Sequence, residues 1–441
     1  MNSLRSAFNK IPAGTTVKIL KKVFSLPAPA ARLILNDVTK PRSSHKPWIL
    51  KVPWNNEWSG CWIGENVNQL NHEELVKRIQ NADIIFFNVH GGGFRVGTCT
   101  MYMDTYIEWI KLLKYNYGLE AMIMSIDYRL APEYKYPSPV EDVVRGYEYL
   151  IRALNVHPEK VIVIGDSAGA SLILEMLFIT HDPSMFEIVT DEVDESTDDS
   201  TPTLTELPRP AAAVLISPIV TNETTSKSWK TNLKYDYISQ YTAKVIKKDY
   251  FEPSGPDSSS DAHQVLGIAK LETGFRSFLP DQVLMYIGNK EVLRDDALDL
   301  AMRAENDQVN WETVIEDCVH NWFVVPEVVK DKSVCQRANS AFADFCYRAI
   351  RQIPNQNVPI RIGSYTTRYD TLSPLSTSSS SLRRSSEGLE MVLEDEEEEK
   401  EEQYYQDRSD SEITASTTHI EKTEEIMAEK VTKQKPKTIF V

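Results

Sequence analysis

Cysteine is scarce in this sequence, and the few cysteines are poorly spaced for disulfides or metal ligation. The 441 residues contain five, an odd number, with no Cys-x-x-Cys pair and no Cys/His spacing of the zinc-site type. They are Cys61, Cys99, Cys318, Cys335 and Cys346. The pattern argues against a disulfide framework and against a metal site, and it favours a reducing compartment.

Long apolar runs are also missing. No uninterrupted apolar stretch approaches the roughly 18 residues of a membrane-spanning helix. The N-terminus shows no apolar segment followed by a small-residue cleavage site. We therefore expect a cytoplasmic protein that is soluble or peripheral on a membrane.

Basic residues are outnumbered, with 48 Lys and Arg against 64 Asp and Glu and a net charge of -16. Residues 187 to 206 carry eight acidic groups and no basic ones. From Tyr365 to the end there are 18 acidic and 10 basic residues. The rest of the chain is close to neutral, so we expect no surface for nucleic acid.

Both acidic stretches are typical of segments outside a core. We interpret residues 183–210 as a solvated loop insertion. The Ser-, Thr- and Glu-rich composition of residues 357–441 cannot bury enough apolar surface to offset chain entropy, so this tail is predicted to be disordered. Within it, Ser385 or Ser386 follows two arginines, a short match to a basophilic kinase site that is common by chance.

Strand-like and helix-like runs alternate between residues 46 and 356, which predicts one α/β domain with a mostly parallel sheet covered on both faces. The strand candidates are WILKVPW, GCWIGE, ADIIFFNVH, EAMIMSIDY, KVIVIGD, AAAVLIS, QVLMYIG and WETVIED. Helical patterns fall at 138–155, 168–181, 294–307 and 333–353.

The N-terminal segment, residues 1–45, contains a helical pattern with two interpretations. Apolar residues recur at helical spacing, and lysines occupy the other faces. These residues are Val17, Leu20, Val23 and Phe24, with Lys18, Lys21 and Lys22. The helix either covers the core as part of a cap or contacts a membrane or lipid-droplet surface through its basic face. The two roles are compatible.

A serine between small residues is the first chemical signal. In VIVIGDSAGA, the pattern Gly165-x-Ser167-x-Gly169 lies between a predicted strand and a predicted helix, the context of a nucleophile elbow. The pentapeptide also fits an ordinary tight turn. A serine hydroxyl needs a base to become a nucleophile, and the resulting oxyanion needs preorganised donors.

The second signal is a glycine run at the end of an earlier strand. His90-Gly91-Gly92-Gly93-Phe94 lets successive N–H groups face one point, as in part of an oxyanion hole. A phosphate-binding loop is the alternative, but the Lys-Ser/Thr of a P-loop does not follow. We expect His90 to order this loop and not to act as a base.

Three motifs in order resemble those of the hormone-sensitive lipase family of α/β-hydrolases, which includes carboxylesterases and arylacetamide and sterol deacetylases. They are HGGGF from His90, DYRLAPEYKYPSPVEDV from Asp127 and GDSAGA from Gly165. The resemblance implies an α/β-hydrolase fold with an eight-stranded, mostly parallel sheet and a helical cap. It also implies Ser167 as nucleophile, with an oxyanion hole formed by the amides of Gly91, Gly92 and Ala168.

The family order of serine, acid and histidine places the remaining residues downstream. The strand in QVLMYIGNKEVLRDD is followed by Glu291, where the family usually has aspartate, and VIEDCVHNWF contains His320, where the family usually has His-Gly-Phe. Asp295 is the competing acid, but it falls in the first turn of a predicted helix, where carboxylates are favourable without catalysis. We therefore predict a triad of Ser167, Glu291 and His320.

The sequence thus predicts a serine-dependent carboxylic ester hydrolase that needs no cofactor and no metal. A small-molecule ester of short to medium chain is the expected substrate, with acetylated sterols and xenobiotics as family-level candidates. The alternative is a non-catalytic small-molecule receptor on a hydrolase scaffold, since fold alone does not imply function.

Overall fold

The central feature of the fold is one eight-stranded sheet, as predicted. The computed structural model describes residues 11–55, 57–184, 206–252 and 267–352. The strands are β1 (Ile49–Val52), β2 (Gly60–Ile63), β3 (Ile84–Val89), β4 (Ala121–Ile126), β5 (Val161–Asp166), β6 (Ala212–Ile216), β7 (Gln282–Gly288) and β8 (Asn310–Glu316). Seven of the eight predicted strand runs contain one of these strands, and the eighth, WETVIED, covers β8 except for its first residue, Asn310.

The strand order is β1-β2-β4-β3-β5-β6-β7-β8. β2 runs antiparallel to both of its neighbours, and the pairs from β4 through to β8 are parallel. Parallel strands share the direction of their carboxyl ends, so the loops after β5, β7 and β8 leave from the same edge of the sheet. That edge carries the predicted site residues.

Eleven α-helices flank or cap the sheet in the described part of the chain. They are α1 (Ala13–Phe24), α2 (Ala28–Thr39), α3 (His72–Asn81), α4 (Met103–Tyr117), α5 (Ser138–Glu148), α6 (Ala168–His181), α7 (Lys227–Thr231), α8 (Gln240–Ile246), α9 (Phe275–Phe278), α10 (Arg294–Asn306) and α11 (Lys332–Arg351). The four helical patterns predicted within the α/β domain correspond to α5, α6, α10 and α11, and the N-terminal pattern corresponds to α1. The helices α2, α3 and α4 were not among the predictions.

Both faces of the sheet are buried, which explains why the central strands lack polar alternation. All six residues of β3 and of β5 are buried. Successive side chains point to opposite faces of a strand. Accordingly, Phe86 packs on Phe342 of α11 with ring centroids 5.7 Å apart, and Phe87 packs on Tyr147 of α5 at 5.6 Å. Strands covered on two sides read as continuous apolar runs.

By its contacts the chain divides into a unit of Met1–Tyr365 and a unit of Thr366–Val441. The second unit lies outside the described residues, as does the whole tail predicted from residue 357, including Ser385 and Ser386. Most of the acidic insertion predicted at 183–210 lies outside them too. None of the described helices is long and apolar enough to cross a bilayer. All five cysteines are free thiols.

Candidate active site

Ser167 occupies a strained turn between β5 and α6. Its φ angle is 50°, which is unusual for a residue with a side chain. The flanking glycines explain why the turn can form. A Cβ on Gly165 would meet the backbone of Gly169, and a Cβ on Gly169 would meet the carbonyl oxygen of Val89. The close approach holds the Ser167 hydroxyl at the carboxyl edge of the sheet.

The Ser167 hydroxyl, the predicted base and the predicted acid form a continuous chain of hydrogen bonds. His320 Nε2 is 2.9 Å from Ser167 Oγ, and His320 Nδ1 is 2.9 Å from Glu291 Oε2. The side chains of His320 and Glu291 are only 2% and 0% exposed. Asp295, the competing acid, instead accepts the Ser228 N–H at 2.8 Å in the first turn of α10. The structure therefore places Glu291, and not Asp295, beside the histidine.

The environment of His320 favours its protonated form. Burial lowers the pKa of His320, but the hydrogen bond and charge of Glu291, together with the charges of Asp236 and Asp166, outweigh it, so the pKa lies above its usual value. Glu291 is itself held by the Ser217 hydroxyl at 3.2 Å and by the Gly288 N–H. The imidazole Nδ1 is thereby fixed as the proton donor to Glu291.

One predicted member of the oxyanion hole needs correction. The Gly91 N–H donates to Asp166 Oδ1 at 2.8 Å, so it is already occupied, and Gly91 does not line the cleft. Gly92 and Gly93 do line it beside Ser167. The N–H of Ala168, at the first position of α6, has no intrahelical acceptor. The donors that fit are therefore Gly92, Gly93 and Ala168.

His90 contacts the glycine loop, as the sequence suggested, and Asp166 holds the same loop. His90 Nδ1 lies 2.8 Å from the Gly91 carbonyl oxygen, and the ring stacks on Tyr128 with centroids 4.4 Å apart. Asp166 also accepts hydrogen bonds from Tyr102 at 2.9 Å and Asn321 at 2.8 Å. Burial raises the pKa of Asp166 to about 6, against the opposing effect of these donors. His90 and Asp166 thus hold the glycine loop, and Asp166 also contributes to the raised pKa of His320.

A largely apolar cleft opens above the serine. Its volume is about 180 Å³. Its apolar lining comes from the N-terminal helices, from the segment around α7 and α8, and from the loops after β6, β7 and β8. These residues include Leu20, Val23, Phe24, Ile34, Leu35, Val38, Ile219, Trp229, Tyr237, Ile238, Ala243, Ile246, Phe251, Leu293, Val324 and Val325. The cleft suits an uncharged, apolar ligand.

The N-terminal helices cover this cleft. Leu20, Val23 and Phe24 of α1 face into it, so the apolar side of the predicted amphipathic helix is turned inward. This placement supports the cap role. Contact of the N-terminal segment with a membrane stays a prediction.

Arg32 anchors the cap to the loops beneath it. From α2, its guanidinium donates to the carbonyl oxygens of Arg95 at 2.7 Å and Ala131 at 2.6 Å. It also forms a two-bond ion pair with Glu133 at 2.8 and 2.7 Å. Arg95 follows the glycine loop directly, so the same side chain ties the cap to the floor of the site.

Sequence reasoning missed two buried residues that touch the acid and the base. Ser217 directly follows β6, and a polar residue at the carboxyl end of a parallel strand was an available signal. Asp236 lies in a polar loop, KYDYIS, where nothing local distinguishes it from a surface aspartate. Both are less than 3% exposed.

Comparison with known proteins agrees with this architecture. The family model described as alpha/beta hydrolase fold matches residues 86–324, more than half of the chain. The chain belongs to the α/β-hydrolase fold family. This match confirms the α/β-hydrolase fold that the three motifs imply.

Relatives of this α/β-hydrolase include esterases and lipases. It is 26% identical over 252 residues to Lipase 2 of Moraxella sp. (strain TA144) and 35% identical over 92 residues to arylacetamide deacetylase of Mus musculus. The first match covers 54% of this chain and 54% of the lipase, and the second covers 20% and 22%. The chain therefore spans about half the length of the lipase and about a fifth of the deacetylase.

Solved structures share the fold of this hydrolase. An esterase/lipase from an uncultured bacterium superposes with a TM-score of 0.55 at 22% identity, covering 76% of this chain and 98% of that one. A hormone-sensitive lipase from a metagenome library gives a TM-score of 0.55 at 20% identity, covering 77% and 99%. At these identities the likeness concerns the fold alone.

Proposed function

We propose that this hydrolase cleaves carboxylic esters through a serine-bound acyl intermediate. The observation that carries the proposal is the continuous hydrogen-bonded array of Ser167, His320 and Glu291, with both links at 2.9 Å, at the base of an apolar cleft. A nucleophile, a base and an orienting acid in this order are what acyl transfer from an ester requires.

In the proposed reaction, Ser167 Oγ attacks the ester carbonyl carbon while His320 Nε2 takes its proton. Glu291 accepts the hydrogen bond from Nδ1 and stabilises the imidazolium that forms. The N–H groups of Gly92, Gly93 and Ala168 receive the negative charge on the carbonyl oxygen. The imidazolium then protonates the departing alcohol. In the second half of the reaction, His320 takes a proton from water, which attacks the acyl carbonyl carbon. The imidazolium then returns the proton to Ser167 Oγ as the acid leaves.

The substrate class follows from the cleft. Its lining is mostly aliphatic and aromatic, with a few charged side chains, which favours esters that are largely apolar. We propose short- to medium-chain esters, with acetylated sterols and xenobiotic esters as the first candidates. The name of one relative, arylacetamide deacetylase, supports the choice of acetyl compounds.

Hydrolysis of p-nitrophenyl esters from acetate to palmitate tests the proposal. Wild-type protein is expected to show a burst of p-nitrophenol with the preferred chain length, and Ser167→Ala is expected to abolish turnover while leaving the thermal midpoint nearly unchanged. Ser340→Ala, an exposed serine on α11, is the matched control and should retain full activity. A fluorophosphonate should label wild-type protein at Ser167 only.

Two results would contradict the proposal. Full turnover by a clean preparation of Ser167→Ala would exclude the serine as nucleophile. Wild-type protein that neither turns over any ester nor reacts with the fluorophosphonate, yet binds apolar esters, would favour the alternative of a non-catalytic receptor.

A further inference from the structure

Asp236 is a buried carboxylate that the proposed reaction does not use. It lies in the loop between α7 and α8 and is 2% exposed. Its two oxygens accept three backbone N–H groups. Oδ1 accepts those of Tyr237 at 2.8 Å and His320 at 3.3 Å, and Oδ2 accepts that of Val292 at 2.8 Å. Val292 directly follows the acid Glu291, so one side chain joins the acid loop to the base loop.

Neighbouring residues of the same loop add to this connection. Asn232 Nδ2 donates to the Glu291 carbonyl oxygen at 2.9 Å. The ring of Tyr237 meets the ring of His320 edge-on, with centroids 5.5 Å apart. Tyr237 also stacks on Phe24 of α1, with centroids 5.7 Å apart. The loop between α7 and α8 thus contacts the backbone of the loop that carries Glu291 and the backbone of the loop that carries His320. It also contacts the His320 ring through Tyr237.

The charge of Asp236 also bears on the base. The titratable groups that face it are His320, Glu291, Tyr237 and, across the histidine, Asp166. Burial raises the pKa of Asp236 to about 6, while the positive charge of His320 and the backbone donors oppose the rise. At neutral pH the group is therefore mainly a carboxylate. In that form it adds to the charges that raise the pKa of His320.

We propose that Asp236 is a positioning residue for the Glu291–His320 pair, because its carboxylate fixes the backbone of both loops and its charge supports protonated His320. The proposal rests on the proposed ester hydrolysis, in which His320 must accept and then return a proton. Two effects are expected from one group. The backbone bonds keep the acid and base in register, and the charge favours the imidazolium formed during acyl transfer.

The Asp236→Asn variant tests the charge and the hydrogen bonds of the Asp236 carboxylate while its packing is kept. The amide keeps the shape of the side chain, but it removes the charge and replaces one acceptor oxygen by a donor that faces an N–H group. We expect kcat per active site to fall by about 10- to 100-fold with KM changed less than about 2-fold. The acid limb of the kcat/KM profile should move to lower pH by about one unit, because the imidazolium loses a neighbouring negative charge.

Two further variants complete the comparison. Asp236→Glu keeps the charge, so its acid limb should stay near that of wild type even if kcat is partly reduced. Asp307→Asn is the matched control, because Asp307 also accepts a backbone N–H from another element, that of Phe275 at 2.8 Å, but lies away from the site. It should leave both kcat and the acid limb unchanged.

Active-site titration with a p-nitrophenyl phosphonate, taken to completion, counts the intact sites and separates lost folding from lost catalysis. The pKa of His320, followed by NMR on protein carrying labelled histidine and assigned with His320→Gln, reports the same shift without turnover. An unchanged His320 pKa and unchanged kcat per titrated site in Asp236→Asn would overturn the proposal. Absence of turnover in wild type would instead contradict the ester hydrolysis, while the NMR titration still decides the role of Asp236.

Discussion

Glu175 is a buried carboxyl group on α6 whose replacement by glutamine should change how stability depends on pH. The residue is 6% exposed, and its Oε2 atom has no hydrogen-bond partner within the described residues. Burial raises the pKa of Glu175 from its usual 4.5 to about 8. The folded protein therefore holds a proton at neutral pH that the unfolded chain releases.

The sign and size of the effect follow from linkage. Because the pKa is higher in the folded state, the stability that the proton provides is fully present below about pH 4.5 and is lost as the pH rises to about 8. One pH unit within that window corresponds to about 1.4 kcal/mol. Because the slope flattens as the pH approaches the folded-state pKa, the wild type should lose about 2 kcal/mol of unfolding free energy between pH 6 and pH 8 through Glu175 alone.

Glu175→Gln removes this titration. The amide has its own cost in a buried site, but that cost does not depend on pH. The informative quantity is therefore the difference in unfolding free energy between variant and wild type, which should shift in favour of the variant by about 2 kcal/mol from pH 6 to pH 8. Other buried groups, such as Asp166 and Asp236, titrate in both proteins and cancel.

Urea unfolding followed by fluorescence measures this difference. The range from pH 6 to pH 9 avoids the sequence isoelectric point near 5.1, where solubility is lowest. Glu272→Gln changes an exposed glutamate and should give a curve parallel to that of wild type. If the Glu175→Gln and wild-type curves were also parallel, Glu175 would be ionised in the folded protein, and the inferred protonation of this buried carboxyl at neutral pH would be refuted.

Two further substitutions test the acid and the cap. Glu291→Gln should preserve the fold but lower kcat by about 10⁴-fold, because an amide replaces a triad carboxylate. Asp295→Asn should lower kcat far less. The reverse order of the two effects would assign the acid to Asp295. Arg32→Ala breaks the ion pair with Glu133 and two hydrogen bonds to backbone carbonyls that anchor the cap over the cleft. It should therefore raise KM for long-chain esters more than for acetate. Arg152→Ala, which breaks the exposed ion pair with Glu148, is the control and should leave KM unchanged.

The Gly91 amide and the catalytic acid show which features of the site a short stretch of sequence can predict. The sequence favoured Glu291 over Asp295 because helix-start chemistry is local and explains a carboxylate in a first turn without catalysis, and this assignment stays a prediction. It misassigned the Gly91 amide because the competing acceptor, Asp166, is 75 residues away. A glycine run indicates that N–H groups can converge, but which of them point into the cleft depends on what packs behind the loop.

By itself, the sequence determined the sheet, the elbow at Ser167 and the family. Buried parallel strands need continuous apolar runs, and a tight strand-to-helix turn needs small residues beside the serine, so both leave marks in short stretches of sequence. Only the tertiary structure brought Ser167 and His320 together across 153 residues, turned α1 inward over the cleft and placed Asp236 against both catalytic loops. Those contacts depend on how crossover connections stack whole elements, and no short stretch of sequence encodes that.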